Sequence, residues 1–363
     1  MEDAEHMRAA LALARRGLGS TWPNPSVGCV LVRDGRVVGR GTTAPGGRPH
    51  AERLALDMAG EAARGATAYV TLEPCAHHGQ TPPCADALVA AGVSRVVVAC
   101  GDPYPAVNGK GVARLREAGI EVVTGVLEDE AREAQAGFLT RVALGRPAVT
   151  LKLASTLDGR IATRMGESQW ITGLPARRAA HALRGEHDAV LAGAGTVLSD
   201  DPELTCRLPG FRRGSDLRIV VDTHLRTRLM SRVIASAREV PTWFLHGPGA
   251  DRDRVAAFRE AGATLISVPA AEPGIDLAAA LTRLGREGLT RVLVEGGAKI
   301  AASLLRAGLV DRLAWFHAPS VMGGDGLPAA ASFGTAALET MPRFRRTEQR
   351  QVGDDTLTLF ERS

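Results

Sequence analysis

The chain has 363 residues, 45% of them hydrophobic, and a formal net charge of +4. That length suits two domains of about 150–200 residues, each able to bury a core. Aromatics make up only 4% and the positive charge is dispersed without a basic run, which argues against a nucleic-acid surface and fits a phosphorylated small molecule.

The opening residues, MEDAEHMRAALALARRG, are acidic where a signal peptide would be basic. No apolar run approaches the roughly 18 residues of a membrane span, so a cytoplasmic chain with no membrane partner is expected. Cysteines at 29, 75, 84, 100 and 206 show no disulfide framework. In a reducing compartment, paired cysteines point to metal or catalysis.

In chain order, residues 4–17 read as an Ala-rich helix. WPNPSVGCVLV leads into an apolar strand, and RDGRVVG turns a hairpin through Asp34-Gly35. A Gly/Pro-rich loop precedes HAERLALDMAGEAA, whose apolar spacing is helical. ATAYVTL reads as a buried strand, followed by a helix from about 84 to 91, the strand RVVVACG, a helix near 109–118, the strand IEVVTG and a helix over 126–144. Gly145-Arg146-Pro147 is the linker candidate, because proline ends the helix. This places the domains at 1–145 and 146–363. The second half alternates strands (AVTLKLA, AVLAGAG, LRIVVD, TWFLHG, ATLISV, RVLVEGG, LAWFHAP) with helices near 175–184, 251–261, 276–285 and 298–306. Both halves are therefore expected to be layered α/β folds, and they do not read as repeats of each other.

The stretch VTLEPCAHHGQTPPCADAL, residues 70–88, and PHAERLAL upstream carry the chemistry. His50, Cys75 and Cys84 make a three-ligand set that leaves one zinc position open, as a catalytic site requires. Both segments are loops entering helices, whose positive N-terminal field favours a thiolate. Glu52, two residues after His50, is placed to move protons. The arrangement resembles the H-x-E and P-C-x-x-C pattern of zinc nucleobase deaminases, with eight residues between the cysteines here instead of two. The competing readings are a closed structural zinc knot that recruits His77 or His78, and two ordinary cysteines without metal. Cys29 and Cys100 lie in apolar strands and read as core. Cys206 has no partner motif.

Taken together, NPSVGCVLV, PHAE, TLEPCAHHGQTPPC and GDPYPAVNGKG resemble the N-terminal half of the bifunctional riboflavin-biosynthesis deaminase/reductases. LKLASTLDGRIAT, SQWITG, DAVLAGAGTVLSDDPELTCR and VEGGAKIAASLL resemble its C-terminal half, in the family's order. The resemblance implies a cytidine-deaminase-like fold followed by a dihydrofolate-reductase-like fold. It implies zinc on His50, Cys75 and Cys84, a proton shuttle at Glu52, and a substrate contact at Asn24. The substrate would be a pyrimidine bearing a ribosylamino 5′-phosphate, first deaminated and then reduced with NADPH to its ribityl form by a homo-oligomeric enzyme. Thr43 stands where the family usually has His, and Gln80 where it often has Lys or Arg. Both positions are expected to approach the substrate's sugar or phosphate.

In the second half no G-x-G-x-x-G follows a strand. AGAGT at 192–196 and EGGAK at 295–299 each follow an apolar strand and precede helical sequence, where backbone amides can approach phosphate. Ordinary α/β turns would read the same way. By resemblance, Ala154, Trp170, Thr196, Asp200, Gly297 and Ala298 line the NADPH site, and Ser168, Arg184, Leu204, Arg207 and Glu295 bind substrate. Arg184 and Arg207 suit phosphate, although each alone reads as a surface arginine. Trp170 reads either as a stacking platform or as core. Lys152 and Asp158, at a strand end, are candidates for the proton that accompanies hydride addition. The rival functions are a tRNA-type deaminase with an accessory domain and a non-catalytic zinc scaffold.

Overall fold

The structure, a computed structural model, describes residues 2–79, 82–211, 216–272 and 274–363. The chain divides into two compact units, Met1–Arg146 and Pro147–Ser363.

The first unit runs α1 (Glu2–Arg16), β1 (Gly28–Arg33), β2 (Arg36–Thr42), α2 (Ala51–Ala59), β3 (Thr67–Leu72), α3 (Cys84–Ala90), β4 (Arg95–Cys100), α4 (Lys110–Glu117), β5 (Glu121–Thr124) and α5 (Glu128–Leu144). Its five strands are ordered β2-β1-β3-β4-β5. The β1–β2 hairpin and the β1–β3 pair are antiparallel, while β3, β4 and β5 are parallel. Asp34 and Gly35 both have positive φ, the backbone that a tight right-twisted hairpin demands. Leu31, Val70, Leu88, Val97, Val98 and Leu115 are fully buried in its core, and Cys29 and Cys100 are buried with them.

Two glycines set where α2 lies. A Cβ on Gly39 would come within 2.2 Å of the Ala55 carbonyl oxygen, and one on Gly41 within 2.2 Å of that of Ala51. Alternate residues of a strand face the same side, so the RVVGRGT strand presents a bare backbone to α2. That close seat fixes the helix start that carries His50 and Glu52.

The second unit runs β6 (Ala148–Thr156), β7 (Arg160–Ala162), α6 (Leu174–Gly185), β8 (Ala189–Gly193), α7 (Ala194–Asp200), β9 (Leu217–Val221), α8 (Arg232–Ala235), β10 (Thr242–His246), α9 (Arg252–Glu260), β11 (Thr264–Ser267), β12 (Ala270–Ala271), β13 (Gly274–Ile275), α10 (Leu277–Arg286), β14 (Arg291–Glu295), α11 (Ala298–Arg306), β15 (Arg312–Ala318), β16 (Leu327–Pro328), β17 (Phe344–Val352) and β18 (Asp355–Arg362). Nine strands form one sheet, ordered β11-β10-β9-β8-β14-β6-β15-β18-β17. From β11 to β15 the strands are parallel, and β18 and β17 complete the edge antiparallel. After β6 the chain moves to one side of the sheet, and after β14 it moves to the other. Such a switch of direction opens a crevice beyond the carboxyl ends of the strands.

The terminal hairpin β17–β18 escapes a reading by periodicity. β17, FRRTEQRQV, is exposed from Arg345 to Gln351 because it is an edge strand, so no apolar alternation marks it. The Asp188 carboxylate accepts from the Thr290 and Arg291 amides and the Thr290 hydroxyl, which pins the starts of β8 and β14 together.

His187 is buried, with Nδ1 2.7 Å from the Leu183 carbonyl and Nε2 2.9 Å from Thr150 Oγ1. The carbonyl only accepts, so Nδ1 holds the proton and Nε2 accepts from the hydroxyl. Burial pushes this imidazole down to about 3, below the roughly 6.5 of an unfolded chain. The unfolded state therefore takes up the proton first as pH falls. The stability held above pH ~6.5 is lost toward pH ~3, at up to about 1.4 kcal/mol per pH unit. Urea unfolding at pH 7 and pH 5 is expected to show a loss near 2 kcal/mol from this residue, which His187→Gln removes.

Candidate functional site

His50 is the N-cap of α2, Cys84 is the first residue of α3, and Cys75 follows the end of β3. One nitrogen of His50 and the two sulfurs lie within 4.8 Å of one another. His50 Nδ1 is 3.3 Å from Cys84 Sγ and 3.7 Å from Cys75 Sγ. A tetrahedral zinc with ordinary Zn–N and Zn–S bonds has N–S edges of about 3.5 Å, so the donor set fits zinc. The Cys84 amide donates to Cys75 Sγ at 3.3 Å. Among the described residues no fourth His, Cys, Asp or Glu joins this grouping. His77 turns its ring toward Tyr104, with centroids 6.1 Å apart.

The thiols differ in character. The hydrogen bond from Cys84, followed by those from His50 and the Cys84 amide, brings Cys75 down to about 4 against the opposition of burial. The Cys84 thiol is driven upward by its bond to Cys75 and by burial. Glu52 is 3% exposed. Burial raises its carboxyl to about 7, the Cys75 charge adds to this, and a hydrogen bond shared with Cys84 acts the other way. A carboxyl poised near neutrality beside a three-donor set is suited to accept and return protons.

The loops around the cluster hold it in place. Asn24 donates through Nδ2 to the Gly47 carbonyl at 2.8 Å, tying down the segment that ends at His50. Thr43 is buried. Its hydroxyl accepts from the Val27 amide at 3.0 Å and its own amide donates to the Val27 carbonyl at 2.9 Å. The Thr43 amide and hydroxyl thus fasten the main chain at Val27. Gln80 lies outside the described residues.

In the second unit the two glycine-rich strand ends lie side by side, since β8 pairs with β14. Gly193 and Gly297 are the N-caps of α7 and α11, and the Gly297 amide donates to Thr196 Oγ1 at 3.0 Å. A Cβ on Gly195 would meet nothing within 4 Å, and one on Gly297 only Thr196 Oγ1 at 3.7 Å. The result is an open cradle of main chain that fits dinucleotide phosphates. Ala298 begins α11, Asp200 ends α7 at the surface, and Ala154 lies in β6 opposite Phe316. Trp170 is 70% exposed, with the Arg177 guanidinium 4.1 Å from its ring. It is therefore a surface platform and not core.

Arg184 holds Glu295 in a bidentate pair at 2.6 and 2.9 Å and donates to the Thr205 carbonyl at 2.9 Å. Its guanidinium is thus a buried counter-charge that also anchors the loop at 204–207. Burial alone would raise the Glu295 carboxyl, but Arg184 and Lys152 override it and hold it at about 2. Lys152, opposite Glu295 in the sheet, places Nζ 4.0 Å from Oε2. Asp158 accepts from the Thr156 hydroxyl and from the Met322 and Gly323 amides; it clamps a loop, which leaves Lys152 as the better proton source. Leu204 is buried in the core with Val197, Val220 and Val233. Arg207 pairs at the surface with Glu203, and Ser168 is half-buried. Cys206 Sγ donates to the His181 carbonyl. Glu73, to which spacing assigned no role, is buried next to the cluster. In the sequence it is the acidic residue of Glu73-Pro74-Cys75, directly after an apolar strand.

Comparison with known proteins follows the same division. Residues 1–100 match the cytidine and deoxycytidylate deaminase zinc-binding region, and residues 147–358 match the RibD C-terminal domain. The riboflavin biosynthesis protein RibD of Escherichia coli (strain K12) is 44% identical over 366 residues, covering 98% of each chain. The structure of Acinetobacter baumannii RibD (form 2) superposes with a TM-score of 0.88 at 37% identity, over 100% of this chain and 99% of that one. The diaminohydroxyphosphoribosylaminopyrimidine deaminase/5-amino-6-(5-phosphoribosylamino)uracil reductase of Thermotoga maritima gives 0.86 at 34% identity, with coverage of 100% and 99%.

Two outcomes follow from the geometry. The purified chain is expected to carry one zinc, measured by inductively coupled plasma spectrometry, and Cys75→Ser or His50→Ala to lower affinity enough that the metal is lost on dialysis. Glu295→Gln leaves the Arg184 guanidinium buried without its counter-charge, and urea unfolding of the second unit should register a loss of about 3–5 kcal/mol.

Proposed function

This chain belongs to the RibD family of bifunctional riboflavin-biosynthesis enzymes, and from that premise we propose how its residues divide the two reactions. It is a hydrolase and an oxidoreductase: 2,5-diamino-6-(5-phosphoribosylamino)pyrimidin-4-one loses an amino group, and the ribosyl chain is then reduced to ribityl. Its cofactors are zinc and NADPH. We assign the deaminase to the first unit and the reductase to the second.

His50, Cys75 and Cys84 would hold zinc, which supplies the Lewis acidity that activates water for attack on the amino-bearing ring carbon. Glu52 handles the protons. It takes one from the attacking water and passes it to the ring nitrogen, then moves the second to the amine, which departs as ammonia. The observation that carries this reading is a buried carboxyl, Glu52, in the first turn of the helix that His50 caps, beside a three-donor set. Asn24, beside the loop that ends at His50, would meet the substrate edge with its remaining amide oxygen.

In the second unit NADPH supplies the hydride, received at C1′ of the ring-opened sugar imine. The Gly297 and Ala298 main chain and Thr196 would grip its phosphates, with Ala154, Trp170 and Asp200 flanking the rest. Lys152 gives the proton that the imine nitrogen takes up. Glu295, held in place by Arg184, accepts hydrogen bonds from the substrate, while Ser168, Arg207 and the Leu204 main chain border the sugar phosphate.

The substrate belongs to the small phosphorylated pyrimidines of this family. The dispersed charge supports the absence of a nucleic-acid partner. Among the described residues no helix is long and apolar enough to cross a membrane, and a cytoplasmic setting agrees with the family. The exposed edge strand β17 and the apolar Leu157 and Phe344 near it favour a homo-oligomer, since such edges are normally covered.

Glu52→Gln should lower ammonia release by about 10²–10⁴-fold, while NADPH oxidation on pre-deaminated substrate stays at the wild-type rate. Loss of both activities in a folded variant would contradict the two-site assignment.

A further inference from the structure

Glu73 closes β3 and is 5% exposed. Its Oε1 accepts from the amides of Gly111 at 2.9 Å and Val112 at 3.2 Å. Its Oε2 accepts from Gly109 at 3.0 Å and Asp102 at 3.4 Å. A carboxylate has about four lone-pair sites, and here all are used on the main chain of one segment, residues 102–112. A second observation ties that segment to the metal ligand. A Cβ on Gly111 would fall 1.9 Å from the Pro74 carbonyl oxygen, so α4 begins pressed against the residue that immediately precedes Cys75. The same segment also approaches His77, two residues beyond Cys75. The Tyr104 amide is held by Asp102 Oδ1 at 2.8 Å, Asp102 is buried, and the Tyr104 ring faces His77.

Resting on the reading of this cluster as the deaminase centre, we propose that Glu73 is a positioning residue for that reaction. One buried carboxylate fastens the 102–112 loop to the strand end from which the chain runs on to Cys75, and through that loop it shapes the approach of the pyrimidine. Glu73 does not touch the substrate; it acts through the loop. The carboxylate is required because four converging N–H groups need an acceptor-only partner. A glutamine would turn its NH₂ toward two of them.

The test is Glu73→Gln in the full-length zinc-loaded enzyme, with Gly111→Ala as a second variant that displaces the same loop while keeping the carboxylate. For both, the KM for the pyrimidine should rise about tenfold or more, with the deaminase kcat changed less. Zinc should stay at one per chain and NADPH oxidation on pre-deaminated substrate should be unchanged. Hydrogen exchange, which does not depend on activity, should quicken at the 102–112 amides and not across the remaining first unit. An unchanged KM, or zinc loss with unaltered exchange in 102–112, would overturn the proposal. If Glu73→Gln fails to fold, an unchanged KM in Gly111→Ala overturns it. Absence of ammonia release by the wild-type enzyme would instead remove the underlying deaminase reading.

Discussion

The hydrogen bond from the Cys84 amide to the Cys75 sulfur is the contact on which the first unit is organised. It joins the end of a strand to the start of a helix nine residues later and brings a thiolate to a point where main-chain N–H groups emerge. His50 arrives from a third direction, on a helix that sits directly on β2 because Gly39 and Gly41 have no side chains to hold it off. Three donors on separated segments thus meet within bonding range of one ion. Cys84 opens a helix, His50 caps one, and Cys75 sits in the short loop just past β3, so each donor lies at or next to the end of a regular element. A site built this way loses little entropy when metal arrives.

The second unit solves a different problem with the same material. Its parallel strands bring β8, β14 and β6 together where the chain reverses its direction of travel along the sheet. Two glycine-bearing ends lie beside each other, and Glu295 and Lys152 emerge in register one strand apart. A cradle of amides next to a charged trio of Lys152, Arg184 and Glu295 suits an anionic cofactor and a hydride acceptor. The burial of Glu295 is tolerable only because Arg184 neutralises it.

Much of this was legible in the sequence because apolar periodicity and glycine placement are local signals. His50 and Cys75 stood out because PHAE and TLEPC are short local segments, and Cys84 followed from the second cysteine of the same stretch. Long-range pairings were not legible. Arg184 looked like a phosphate ligand because its counter-charge, Glu295, lies 111 residues away. The bond of Thr43 to Val27 extends a strand pairing that spacing does not reveal. Leu204 was named for a ligand site, yet its side chain fills the core. β17 went unseen because a solvated edge strand needs no apolar stripe.

Three protein atoms, and not four, would hold the ion beside Glu52. X-ray absorption at the zinc edge of the purified enzyme decides this. The expected first shell is one imidazole nitrogen, two sulfurs and one non-protein oxygen. A second imidazole, from His77 or His78, or any fully protein-ligated shell would contradict it, because no position would remain at which water could be activated.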